Sequence, residues 1–211
     1  MTFTADDVER IVGLSVAALR EAEGRDWTVR AGSLDWECWE TAEHLADALF
    51  SYAAQLGPAK PPLGTHVPFA WQRKKPGGPA SVVFVERDAG TGGLLQVLET
   101  CGTLLTAVVR LTPPDRRAHH GFGAAGPEGF AAMGVVETLL HTYDIAGGLG
   151  IGWTPDAGLC ARVLDRLFPD VEPGPEPWPT LLWATGRGEL PGRERRTEWR
   201  WYSSPRGESD T

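Results

Sequence analysis

The stretch Gly126-Pro-Glu-Gly-Phe-Ala-Ala-Met-Gly-Val-Val-Glu137-Thr-Leu-Leu-His141-Thr-Tyr-Asp144-Ile-Ala-Gly-Gly148 decides how this chain folds. Pro127 and Glu128 suit the first turn of a helix, where an amide donor is dispensable and a negative charge meets the positive end of the dipole. Gly147-Gly148 reads as its terminator, so the spacing predicts a helix from Pro127 to about Ile145. Phe130, Met133, Val136 and Leu140 recur at helical intervals and demand burial. Glu137, His141 and Asp144 stand at i, i+4 and i+7, which at about 100° per residue places them within a stripe roughly 60° wide. An acid and an imidazole on a helix that is to be buried are costly unless they are paired or ligated.

Working outward, the pattern predicts an all-α chain. A first helix runs from Thr4, its N-cap, to about Glu23, with Val8, Ile11, Val12, Leu14, Val16 and Leu19 at helical spacing for one buried face. A second spans about Leu34 to Leu56 and stops at Gly57-Pro58. A third covers about Gly93 to Leu111, ahead of Pro113-Pro114, and a fifth about Pro155 to Phe168. Residues 57–80, rich in Pro and Gly, read as a surface excursion, and its Arg73-Lys74-Lys75 as a solvated loop. Ser81 to Glu86 has strand composition, and 197–202 partly alternates like a strand. Between these lies Pro169-Asp-Val-Glu-Pro-Gly-Pro-Glu-Pro-Trp-Pro179, with five prolines, which reads as a linker, followed by a short helix over 180–184. The tail from Ser203 is polar and reads as loose. The expected organisation is a helical bundle over 1–170, a Pro-rich linker over 171–179 and a small C-terminal extension over 180–211.

Composition narrows the functional classes. With 42% hydrophobic and 23% charged residues the chain has material for a core. A net charge of −8 gives no general attraction to phosphate backbones or anionic lipid, so neither nucleic acid nor a membrane surface is an expected partner. No stretch reaches the roughly 20 uninterrupted apolar residues of a spanning helix. The opening MTFTADDVER is acidic where a secretory signal is basic and then apolar, which points to the cytoplasm. Cys38, Cys101 and Cys160 form no CxxC pair and fit reduced, partly buried thiols. Gly147-Gly148-Leu-Gly150 follows a helix instead of preceding one, so it is a cap and no phosphate cradle.

Glu137 and His141, one turn apart, can bind one ion, with a third ligand from another helix. Among the five histidines, His44 is the one other that sits in a strong helical segment. A His/His/Glu set with remaining positions open matches a catalytic zinc site, although the same donors suit nickel, iron or manganese. A plain hydrogen bond between Glu137 and His141 is the alternative, and it needs no metal. His119-His120, in the loop before the fourth helix, either stand in solvent or place His120 at a cavity as a substrate contact. His66, in the excursion, carries no assignment.

The ordered set of His44-Leu-Ala-Asp47 on the second helix, tryptophans before it (Trp27, Trp36, Trp39), a long middle excursion and Glu137xxxHis141xxAsp144 on the fourth helix resembles the DinB-like superfamily. It is most similar to the mycothiol-dependent maleylpyruvate isomerase N-terminal domain family. The resemblance covers roughly residues 4–150 and implies an up-down four-helix bundle, here with an extra helix. It further implies a divalent metal, typically zinc, on His44, Glu137 and His141, with Asp144 beside it to orient a ligand or touch a thiol. It implies mycothiol or a related low-molecular-weight thiol as cofactor, a small electrophilic substrate, and a transferase or isomerase reaction in a monomer or homodimer. A non-catalytic bundle that senses or sequesters a small molecule is the alternative on the same scaffold. Trp183-Ala-Thr-Gly-Arg187-Gly-Glu-Leu is similar to C-terminal segments of related members and makes Arg187 a candidate for a substrate carboxylate. Because residues 171–211 would stand for the isomerase's whole C-terminal domain, the resemblance does not extend to maleylpyruvate itself.

Overall fold

Pro127 opens, and Gly150 closes in the left-handed region at φ +66°, a helix in which every residue from 129 to 142 is buried. Around that helix the computed structural model describes residues 2–174 and 176–205. Its regular elements are α1 (Ala5–Arg20), α2 (Cys38–Leu56), a 3-10 turn (Arg87–Ala89), α3 (Gly90–Leu111), α4 (Pro127–Leu149), α5 (Ala157–Leu167) and α6 (Pro177–Ala184). The all-α expectation holds, and among the described residues strand pairing is limited to isolated bridges. α1 and α2 each pack against both α3 and α4, and α5 joins α4 to α6. Leu45 and Leu49 of α2, Leu98 and Leu105 of α3, and Phe130, Met133 and Val136 of α4 form the shared core. Leu14, expected on the buried face of α1, is exposed because it lies well around the helix from Val8, Val12 and Leu19.

Several boundaries differ from the sequence expectation, each for a local reason. α2 starts at Cys38 and not Leu34, because the amides of Cys38 and Trp39 donate to the carbonyls of Val29 and Trp27 (2.8 and 2.9 Å), which folds 27–37 back over the helix start. α4 continues through Gly147-Gly148 to Leu149. These glycines admit a close approach: a Cβ on Gly148 would lie 2.2 Å from the Arg30 carbonyl oxygen and 2.6 Å from Cys38 Sγ. The expected strand at 81–86 is an extended segment whose partner is a row of carboxylates on α2. Asp47 Oδ1 accepts the amides of Val82 and Val83 (2.7 and 2.8 Å), and Glu43 Oε1 accepts that of Val85 (2.9 Å). Lys74 and Lys75, read as solvated, pair with Glu43 and Glu40 of the same helix (3.0 and 2.9 Å).

The C-terminal part is bound more closely than its composition suggests. α6 begins inside the Pro-rich stretch, since prolines are tolerated in a first turn. The expected strand over 197–202 is irregular chain, with Trp201 buried against Phe122. Ser203, expected to be loose, is fully buried and its hydroxyl faces the carbonyls of Phe122 and Gly123 (2.7 and 2.8 Å). Residues 206–211 of the expected tail lie outside the described residues. Arg166 bridges Glu128 of α4 to the carbonyls of Tyr202 and Ser203. The 25-residue segment from Arg87 to Leu111 is long and apolar enough to cross a membrane by length and composition, and its inner side packs on α1, α2 and α4.

Gly148→Ala should cost about 2–3 kcal/mol in chemical denaturation by overpacking, whereas Gly13→Ala, where an added Cβ meets nothing within 4 Å, should gain about 0.5–1 kcal/mol. Arg162 of α5 forks onto Asp7 of α1 (2.8 and 2.9 Å). That hydrogen bond, outweighing burial, holds the Asp7 carboxyl below its ordinary value of 3.8. A carboxyl lowered by folding contributes stability above its unfolded value and loses it as the pH falls. The Tm gap between wild type and Asp7→Asn should therefore be full at neutral pH and shrink below pH 3.8.

Candidate metal centre

α2 and α4 cross where His44 meets His141, their ring centroids 5.0 Å apart and their planes at 88°. One turn back along α4, Glu137 Oε2 lies 3.1 Å from His141 Nε2. One donor atom from each of His44, Glu137 and His141 falls within 4.8 Å of the other two. Donors about 2.0–2.2 Å from a tetrahedral ion stand about 3.3 Å apart, so the Glu137–His141 spacing suits two ligands of one cation as well as it suits an ion pair. His44 tips the balance: its Nδ1 is buried with no hydrogen-bond partner, and its other neighbour is the ring of Trp36 at 4.9 Å. A buried imidazole nitrogen without a partner is expensive, and a bound cation is one way to remove that cost. The donor set fits a divalent cation.

A second layer fixes these donors. The Tyr52 hydroxyl donates to Glu137 Oε1 at 2.9 Å. Asp144 Oδ2 stands 3.2 Å from His141 Nδ1, close but off the line of a good hydrogen bond. Arg187 grips Asp144 through Nε and Nη2 (3.0, 3.1 and 2.9 Å), with the two side chains 9% and 1% exposed. A carboxylate behind a ligating histidine sets its tautomer and orientation.

Protonation follows from these contacts. Burial pushes His44 down to about 4, and the nearby His141 adds to the effect, so at neutral pH one ring nitrogen offers a free lone pair. Burial alone would raise Glu137, but His141, His44 and the Tyr52 hydroxyl overcome it and hold the carboxyl at about 2. Burial works against protonation of His141, yet Asp144 and Glu137 on either side win and raise it. Two anions thus face one imidazole, and with Arg187 on Asp144 one net negative charge is left, which either a proton or a metal ion offsets.

The remaining candidates separate. Asp144 is one contact removed from the donor cluster, behind His141. Arg187, a candidate for a substrate carboxylate, has its guanidinium engaged by the protein's own Asp144. His120 is not a solvated loop residue. Its ring packs between Tyr52 (5.8 Å), Phe122 (5.6 Å) and Trp201 (6.2 Å), and its Nδ1 accepts the Phe122 amide at 3.1 Å. Burial pushes it down to about 4, so it is neutral and carries its proton on Nε2. Of the three early tryptophans only Trp36 touches the centre; Trp27 is buried against the Ala22 carbonyl and Trp39 lies under Arg87. Tyr52 was not singled out by sequence reasoning, and only its place two turns beyond His44 on α2 hinted at it.

The cysteines are free and buried, and burial pushes Cys38 and Cys101 to about 11 and Cys160 to about 12. They are inert thiols. A cavity of about 870 Å³ between α5, α6 and Tyr202 is lined by none of the centre's residues. No family model, no curated protein and no solved structure matches the chain.

Asp144→Asn keeps the shape but removes the charge behind His141, and should weaken zinc affinity about 10–100-fold in chelator competition. Affinity unchanged from wild type would mean that Asp144 does not support a metal ligand.

Proposed function

We propose that this chain is a DinB-like, metal-dependent enzyme of the mycothiol-dependent maleylpyruvate isomerase kind, a transferase or isomerase that turns a low-molecular-weight thiol on a small electrophile. The observation that carries the reading is the convergence of His44, Glu137 and His141 from two helices, with donor atoms within 4.8 Å. Three protein donors leave at least one position of a four-coordinate ion for a molecule from solution, the pattern of catalytic and not structural zinc. A divalent cation bound there supplies Lewis acidity, which lowers the pKa of a thiol that joins it.

The chain's own residues divide the remaining work. His44 and Glu137 are held in the forms that donate electron pairs, one by burial and the other by its hydrogen bonds. Asp144, fixed by Arg187, keeps the His141 ring in place. Glu137 and Asp144 against Arg187 leave one net negative charge, which a divalent ion turns into one net positive charge, so the loaded site favours an anion such as a thiolate. The protein's cysteines stay protonated, so the thiolate must come from a small molecule. Mycothiol as that molecule, zinc as the metal and a cytoplasmic setting follow from the resemblance and the composition. Addition of a thiolate to an activated double bond forms a carbon–sulfur bond. Rotation followed by expulsion of the same thiolate isomerises the substrate, while displacement of a leaving group from carbon transfers it.

With zinc-loaded protein, mycothiol and an activated alkene or aryl halide, free thiol should be consumed, or cis–trans isomerisation should appear. Glu137→Gln should reduce either rate about 100-fold or more. Zinc-loaded protein that turns over none of a panel of thiols and electrophiles would point instead to the binding role without catalysis.

A further inference from the structure

The chain's five histidines form a path of two contact groups, His44, His141 and His120 in one and His119 and His66 in the other, joined through the His119–His120 peptide bond. His44 and His141 share the buried centre with Glu137. Glu137 accepts the Tyr52 hydroxyl, and the Tyr52 ring touches that of His120. His119 follows in sequence, and its ring meets that of His66 with centroids 4.7 Å apart and planes at 75°. The path starts in the core and ends at His66, which is exposed.

The outer end is built to hold its shape. The His119 amide donates to the Pro62 carbonyl at 2.9 Å and joins the two loops. Gln55, a buried residue of α2, grips the backbone on both sides of His66, accepting from the Val67 amide at 2.8 Å and donating to the Thr65 carbonyl at 3.2 Å. Neither imidazole has a side-chain hydrogen-bond partner among the described residues. Partial burial and the neighbouring His119 lower the pKa of His66, which leaves its lone pair free at neutral pH. Two imidazoles on fixed backbone suit a cation of the zinc, nickel or copper group, and water completes the coordination.

We propose that His66 and His119 form a second, exposed site for a divalent transition-metal cation. Its comparison with the buried centre rests on the reading of His44, Glu137 and His141 as a metal centre; the outer site does not. With two protein donors in place of three, it binds more weakly than the buried centre and exchanges faster.

The test is calorimetric titration of the metal-free full chain with Zn2+. Wild type should show two binding events separated by about tenfold or more in affinity. His66→Ala and His119→Ala should each lose only the weaker event, and Glu137→Gln should lose the tighter. A weaker event that survives both histidine variants, or a single ion lost in Glu137→Gln alone, would overturn the outer site. A single ion lost in His66→Ala would uphold the outer site and remove the buried centre.

Discussion

Burying Glu137, His141 and Asp144 along one side of α4 sets the terms for everything packed against that helix. Ionised groups in a low-dielectric interior are tolerated only when each has a counter-charge or donor. α2 meets the demand from one side with the Tyr52 hydroxyl, and the segment after α6 meets it from the other with Arg187. Remove any of these and an uncompensated charge stays in the core. The site and the fold are therefore stabilised by the same contacts.

This explains why the C-terminal segment is docked despite its proline-rich approach. Arg187 reaches Asp144, Trp201 packs against His120, and Ser203 anchors the 122–123 backbone. The inner end and the middle of the histidine path are thus steadied by residues remote from them in sequence. The excursion over 57–80 and the extended 82–85 segment are held differently, by Glu40, Glu43 and Asp47 on α2. α2 hence uses one side for the centre and another for acids that bind backbone amides where a strand would otherwise be needed.

The helices were legible because their signals are local: the Pro127 start, the apolar spacing of Val8 to Leu19, and the i, i+4, i+7 stripe of α4. The His44, Glu137 and His141 set was legible for the same reason, once the two helices were taken to face each other. What escaped depends on distant pairing. Nothing near Arg187 says that its partner is Asp144, and nothing near Gly148 says that it receives the Arg30 carbonyl instead of ending a helix. His120 read as a loop residue because its burial is supplied by Tyr52 and Trp201. The strand-like runs misled because β composition reports a half-buried extended chain and not the identity of its partner.

The central claim is that His44, Glu137 and His141 hold a metal ion, and not merely an ion pair between Glu137 and His141. Elemental mass spectrometry of untagged protein, purified without chelator, tests it most directly when wild type is compared with His44→Ala. A tightly bound divalent metal, close to one per chain and lost in the variant, is the result this account predicts. The outer histidine pair, which exchanges fast, should be stripped during purification. A folded wild type that carries no metal and takes up none tightly on adding zinc would contradict the account and leave Glu137 and His141 as a structural pair.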